Sequence, residues 1–454
     1  MPQDLQVYFL HLKYSRYNWY MKKIILLIIA LLTTSSCFAI VDKTQISIQE
    51  AVSIASKNNL DIQASRININ VDKFKIDEAN RLQNPSIDTM QNFADAGKGE
   101  PQTIGVSQLI EVGKRKPRKD LAKSKYELTE RHVEYLEFDL RMDVREAYTN
   151  LLAKKSILTT MKQQENILKH MLEQAQTKFK TGEVTKIDVL QAELLRNQII
   201  TEVQAAEYEV KTAIYDFNKV INCPDGFYDT IEDHFTEDYK PLLIPKVDTQ
   251  MPDFETISND AINNRYDIKI ALQQIEVAEK ELLVVLRKKV PDFELGAGYS
   301  YRNKFQSDSE DFKHGLFAQA SIVNIPLLYR FKPEIEAAKL KLEQAHLNYA
   351  SVENKALNEL KKAYEKFLIA QLRLKNYNEQ LIVNSEELIN ESRTSYYIED
   401  KTDLTTLISM EESYRMISVA YTEALADYYN AWNAFIREVN NENFTISEEK
   451  AENL

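Results

Sequence analysis

"KFKTGEVTKIDVLQAE" runs from Lys178 to Glu193 and holds one glycine, Gly182; from Arg118 to Cys223 there is no other glycine and no proline. On the N-terminal side, apolar residues recur in steps of three, four and seven, through Leu121, Leu128, Leu140, Leu151, Leu158 and Phe179. That spacing predicts a helix with a coiled-coil-like seam, on the order of 95 Å long at ~1.5 Å per residue. A glycine after such a run takes the left-handed conformation that ends a helix. The stretch therefore reads as a helical hairpin: a long helix over 118–181, a turn at Thr181, Gly182, Glu183 and Val184, and a return helix over 185–223.

Outward from this hairpin, glycine and proline mark the rest of the plan. The chain has 454 residues and only 9 glycines, and seven of these fall in two windows, roughly 84–117 and 290–333. Both windows read as strand, polar loop and returning strand. In "PDFELGAGYSYR", Phe293, Leu295, Ala297, Tyr299 and Tyr301 alternate with Glu294, Gly296, Gly298 and Ser300. Leu316, Ala318, Ala320 and Ile322 alternate in the same way with Phe317, Gln319 and Ser321. Period-two alternation of apolar with small or polar residues is a strand with two unlike faces.

The plan occurs twice. "ASKNNLDI" at Ala55–Ile62 is echoed by "AINNRYDI" at Ala261–Ile268, an offset of 206 residues that also relates Pro85 to Pro291. After the hairpins, Pro117 matches Pro333 at an offset of 216, and Phe179 matches Tyr396 at 217. A repeat on this scale constrains the fold more strongly than local propensity. The first repeat covers 45–223, with a helix, strands at about 85–112 and the hairpin above; a connector spans 224–252. The second covers 253–440: a helix, strands at about 291–326, a long helix over 334–397, a tip turn at 398–402 and a return helix over 403–440. The polar end, 441–454, is expected to be disordered.

"MKKIILLIIALLTTSSCFAI" begins at Met21 with two lysines, a short apolar run and small residues. That is the shape of a secretory signal peptide over 21–39, which makes residues 1–20 a leader from a start codon assigned upstream of the true one. Cleavage after Ala39 and lipidation of Cys37 are both open. The first leaves Cys223 as the one cysteine, so packing and not a disulfide holds the fold.

The net charge of −12 argues against nucleic acid, whose phosphates need clustered Lys and Arg. No phosphate loop, HExxH or nucleophile–base set is present, and the histidines are scattered. Neither an enzyme nor a cofactor is expected. Four amphipathic strands in a secreted chain cannot close a barrel, and open edges are not tolerated in lipid. Three copies would supply twelve strands, an even number in the range of outer-membrane barrels.

With its signal peptide, duplication, paired hairpins and the "KFKTGEVTKIDVLQAE" turn, the sequence resembles the TolC-like outer-membrane efflux protein family over nearly all of 45–440. The resemblance implies a mainly α fold with a transmembrane β portion: a trimeric 12-stranded β-barrel continued by a periplasmic α-helical barrel. It implies a homotrimer in the outer-membrane lipid of a Gram-negative cell, joined to a periplasmic adaptor (a membrane fusion protein) and an inner-membrane pump, most often of the RND type. The "TGE" turn followed by Asp-Val-Leu looks most like the heavy-metal cation branch. Adaptor docking is implied for the tips, Thr181 to Val184 and Ile398, Glu399 and Asp400. A gate is implied for Asp188, Tyr396 and Lys401, with Asp403 beside them; the alternative for Asp188 and Lys401 is a solvated surface pair. The second tip departs from the pattern, with Glu399 where glycine would stand. Acidic rings of the family would align at Thr405 and Ile408, so a filter there is not expected. Multidrug efflux and type I protein secretion use the same duct design. A secreted coiled-coil structural protein would explain the heptads but not the matched hairpins, and a periplasmic adaptor would carry one helical hairpin, not two.

Overall fold

The computed structural model describes residues 44–91, 102–223, 227–236, 239–301, 315–398 and 401–444. The leader, the signal peptide, Cys37, both strand-hairpin loops, Glu399, Asp400 and the last ten residues lie outside the described residues. Gln45–Leu454 forms one compact unit.

The elements of the first repeat are β1 (Thr44–Ile46), α1 (Ile48–Asn58), α2 (Leu60–Ala79), β2 (Ser86–Gln91), β3 (Gln102–Ile110), α3 (Arg115–Thr181) and α4 (Lys186–Ile221). β4 (Tyr228–Thr230) follows and pairs with β1. The second repeat holds α5 (Phe254–Asn264), α6 (Tyr266–Arg287), β5 (Asp292–Tyr301), β6 (Gly315–Val323), α7 (Lys332–Asn376), α8 (Ile382–Tyr397) and α9 (Leu404–Val439).

Each repeat opens with two helices where the sequence suggested one. The break falls at matched positions, Asn59 and Arg265, both extended. Asn59 caps α2, its Oδ1 accepting from the amides of Asp61 and Ile62 at 3.0 Å. An arginine cannot cap in this way. Arg265 is instead buried and donates to Asp267 at 3.0 and 2.8 Å, and to Glu438 of α9 at 2.5 Å. α3 and α7 start a little before the expected positions because Pro117 and Pro333 sit in the first turn, where a missing N–H has no helical partner to lose.

The helix expected over 334–397 is interrupted. Tyr377–Leu381 forms a π turn, closed by the Ile382 amide donating to the Tyr377 carbonyl. A π turn holds one more residue than an α turn. The repeat offset grows from 216 at Pro333 to 217 at Tyr396, so the second copy carries one extra residue in this interval. The bulge absorbs it and leaves the seam of α8 in register.

The four long strands make one antiparallel sheet in the order β2-β3-β5-β6, so β3 and β5 join the two repeats. Ile87, Val106, Ala297 and Ala318 lie in register on one face, and Thr89, Ile104, Tyr299 and Leu316 form the next row. Their larger apolar side chains are exposed. The opposite face carries Ser86, Ser107, Gly296 and Gln319. There Ser107 donates to Glu294 at 2.9 Å and shares a 2.7 Å hydrogen bond with Ser86. Gly298 is required: a Cβ on it would stand 2.3 Å from the Ile104 carbonyl oxygen and 2.6 Å from the Phe317 ring. Among the described residues, no helix is long and apolar enough to cross a membrane.

Three apolar cores lie along the helices. One joins α1, α3 and α4 around Tyr148 and Phe217. A second joins α3, α5, α7 and α9 around Phe367 and Trp432. The connector is bound over this second core: Leu243, Pro245, Val247 and Pro252 offer carbonyls to Trp432, Tyr428, Gln371 and Tyr364 at 2.7–3.1 Å. Asn441–Phe444, assigned to the tail by its polar composition, belongs to the same region. Glu442 accepts from Arg141 and Arg145 at 2.6 Å each, and Phe444 packs on Trp432 and Phe435. The third core lies where α3, α4, α8 and α9 meet near the hairpin tips.

Candidate functional site

The candidate site is the paired tips of the two helical hairpins. At the first, Gly182 takes φ 82° and ψ 14°. Its amide donates to the Phe179 carbonyl at 3.1 Å, and the Glu183 amide donates to the Lys178 carbonyl at 2.9 Å. This pair of bonds is the Schellman motif, which satisfies carbonyls a helix end otherwise leaves open. Thr181 Oγ1 lies 2.9 Å from the Lys178 carbonyl oxygen and 2.7 Å from Glu183 Oε1, so its one proton can be donated to either. Thr181, Gly182 and Glu183 are exposed and Val184 is half-buried. The turn is short and closed by its own hydrogen bonds.

α4 opens with a capping box. The Thr185 amide donates to Asp188 Oδ2 at 2.7 Å, and the Asp188 amide donates to Thr185 Oγ1 at 3.3 Å. Asp188 is therefore first a helix-starting residue, with a local role that the resemblance did not suggest.

The second tip is built without a left-handed glycine. The Ile398 amide donates to the Thr394 carbonyl at 2.9 Å, and the Lys401 amide to the Ser395 carbonyl at 3.0 Å. Ile398 is exposed. Asp403 caps α9, accepting from the Thr406 amide at 3.2 Å and its hydroxyl at 2.5 Å. The Thr406 hydroxyl and backbone amide hold the Asp403 carboxyl below its ordinary range. Glu399 and Asp400 are outside the described residues.

Tyr396 is buried in the tip core, with the Lys178 ammonium 4.5 Å from its ring centroid and Tyr397 packed edge-on at 5.0 Å. It thereby links the second hairpin to the first. Thr405 Oγ1 donates to Gln191 Oε1 at 3.2 Å, a second link between the hairpins.

One cluster was missed from sequence. Glu411 of α9 is 0% exposed and receives both arms of Arg393 from α8, at 2.6 and 2.9 Å. Gln164 of α3 donates to it at 3.0 Å. Hydrogen bonding to Glu411 raises the Arg393 pKa, against the cost of burial. The signal was present: Leu404, Leu407, Glu411, Tyr414, Ser418 and Tyr421 follow the three-four spacing of a seam, which puts a carboxylate at an apolar position. Nearby, Arg415 of α9 donates to Glu202 of α4. Among the described residues, no group of three or more His, Cys, Asp or Glu is arranged to hold a metal ion.

Comparison with solved structures gives the same fold. The chain is similar to the outer-membrane channel OprN, with a TM-score of 0.69 at 16% identity, covering 86% of this chain and 89% of that one. The Campylobacter jejuni outer membrane channel CmeC gives 0.68 at 15%, covering 89% and 88%. The transmembrane channel CusC gives 0.68 at 13%, covering 87% and 92%. No curated protein matches the sequence. The family model for outer membrane efflux proteins matches residues 51–221 and 257–396, a segment in each repeat. Matched over more than half its length, this chain belongs to the outer membrane efflux protein family.

Proposed function

We propose that three copies of this chain close one duct through the outer membrane, and that the hairpin tips dock a periplasmic adaptor bound to an inner-membrane pump of the RND type. Family membership places the protein in the outer membrane as a channel component and not an enzyme. The observation that carries the proposal is the four-stranded sheet. It exposes an apolar face, and among the described residues β2 and β6 each have a strand partner on one side only. Such edges are unstable in lipid unless other copies pair with them, and three copies supply twelve strands.

At the far end, the tips Thr181–Val184 and Ile398–Asp400 are the adaptor surface. Asp188, Tyr396, Lys401 and Asp403 form the closure, in which Asp188 and Lys401 attract across neighbouring hairpins. A closure of this kind is bistable, since a partly buried ion pair biases one of two packings. Unchanged pore conductance in both Asp188→Ala and Lys401→Ala would overturn that part. The cargo we propose is divalent metal cations, on the "TGE" turn followed by Asp-Val-Leu; amphiphilic drugs and secreted proteins are the rival cargoes. Deletion of the gene tests this. Selective sensitivity to zinc, cobalt, cadmium or copper supports cation efflux, whereas sensitivity to detergents, dyes and antibiotics alone replaces it with multidrug efflux.

A further inference from the structure

Positive charge is clustered at one level of an otherwise acidic chain. The chain carries −12 overall, yet the junctions between sheet and helices are basic. "GKRKPRK" at Gly113–Lys119 joins β3 to α3, "RKK" at Arg287–Lys289 joins α6 to β5, and "RFK" at Arg330–Lys332 joins β6 to α7. The structure brings these together. Asp292, at the start of β5, accepts from Lys114 Nζ at 2.6 Å, from Asn324 Nδ2 at 3.0 Å and from the Val112 amide at 3.3 Å. Arg287 lies against Gly113, its Nη1 3.7 Å from where a Cβ would stand.

The acids in the region answer only part of this charge. Asp292 is taken by Lys114, and Glu111 by Arg118 at 2.8 Å. Glu334 accepts from Tyr329 at 2.6 Å, and that hydroxyl, with Lys288 a smaller influence, keeps its carboxyl below the ordinary range. Arg115, Lys116, Lys289, Arg330 and Lys332 remain exposed on the surface.

Beside the cations runs an apolar loop. Leu327 is 74% and Leu328 102% exposed. In the same loop the rings of Tyr329 and Phe331 pack edge to face at 5.2 Å. A groove of about 650 Å³ lies between this loop and Lys114 and Lys288. β6, the strand that leads into this loop, exposes Leu316 and Ile322.

We propose that this collar binds anionic phospholipid headgroups of the leaflet on the helical side of the membrane. A phosphate would sit by Lys288 and Arg330, and the acyl chains would run along Leu327, Leu328 and β6. The charge complements the headgroup, and the apolar loop follows directly on the exposed apolar residues of β6. Basic segments next to a membrane are attracted to anionic lipid in this way. The proposal rests on the outer-membrane barrel described above.

The test uses the full chain in detergent, with its oligomeric state measured by light scattering in every sample. Phosphatidylglycerol or phosphatidylcholine is titrated in, and retained lipid is counted by native mass spectrometry. The expected result is selective retention of phosphatidylglycerol. Lys288→Gln with Arg330→Gln should weaken it on the order of 25-fold, as two surface cations would. Leu328→Ser, at a fully exposed position, should weaken retention of both lipids. Equal retention of the two lipids by a trimeric wild type overturns the proposal and leaves the barrel reading intact. Loosening of the oligomer by these variants with unchanged lipid preference also overturns it, because the loop would then be covered by a neighbouring copy. A wild-type chain that stays monomeric contradicts the barrel reading itself.

Discussion

The two helical hairpins descend from one plan and are built differently. The first is an unbroken helix of 67 residues, a glycine turn and a capping box. The second carries a π turn, a tip without a left-handed glycine, and a seam position filled by Glu411. At the tip of the first hairpin, the glycine turn, the capping box and the apolar seam agree with one another. The second breaks local rules in several places and holds itself to the first through Gln164, Lys178 and Gln191. Departures of this kind cluster where a fold has a second task, which makes the second hairpin the part of the molecule to test for movement.

Deleting one residue from each hairpin gives the largest contrast. Removing exposed Gln163 from α3 rotates everything beyond it by about 100°. Leu168, Met171, Leu172 and Ala175 would leave the tip core, and the oligomer should be lost from the membrane. Removing exposed Asn378 should convert the π turn to an α turn and leave the seam of α8 in place. Size-exclusion and heat-modifiability of both variants measure this. Equal damage from the two deletions would show that the π turn is not the site of the extra residue.

Next in size is Glu411→Ala. Breaking a buried ion pair costs about 3–5 kcal/mol when a charge is left buried. Arg393, with 29% of its side chain exposed, keeps a route to water, so the lower end applies. Thermal melting should show the loss, and conductance should rise if this pair holds the second hairpin inward. A melting loss with unchanged conductance would make the pair purely structural.

Much of this was legible in the sequence. Gly182 marked the tip because few residues adopt a left-handed φ, the prolines marked element boundaries because they lack an N–H, and the period-two runs marked the sheet faces. Other features lacked so direct a signal. The break at Asn59 and Arg265 is reached by two unlike chemistries, one a cap and the other a buried ion cluster, so no shared residue type announces it. The π turn has no composition of its own, and its trace is a single step in the repeat offset. Asn441–Phe444 is polar in composition, yet two arginines on α3 hold Glu442 and two aromatic rings of α9 hold Phe444. Such long-range partners are invisible to any local window.

The smallest effect separates the start of α9 from the rest of the second hairpin. Asp403→Ala should cost about 1 kcal/mol, the usual loss for a helix N-cap. Its native carboxyl is held below the ordinary range, by the Thr406 hydroxyl first and the backbone amides after it. A lowered native pKa means that the contribution is present above the unfolded value and is lost as pH falls through the native one. Wild type and variant should therefore differ near neutral pH and converge below the ordinary aspartate range. Melting curves at neutral and acid pH decide it. A difference that persists in acid would mean that the neutral carboxyl caps the helix as well as the charged one, and that the second hairpin, unlike the first, starts its return helix without help from charge.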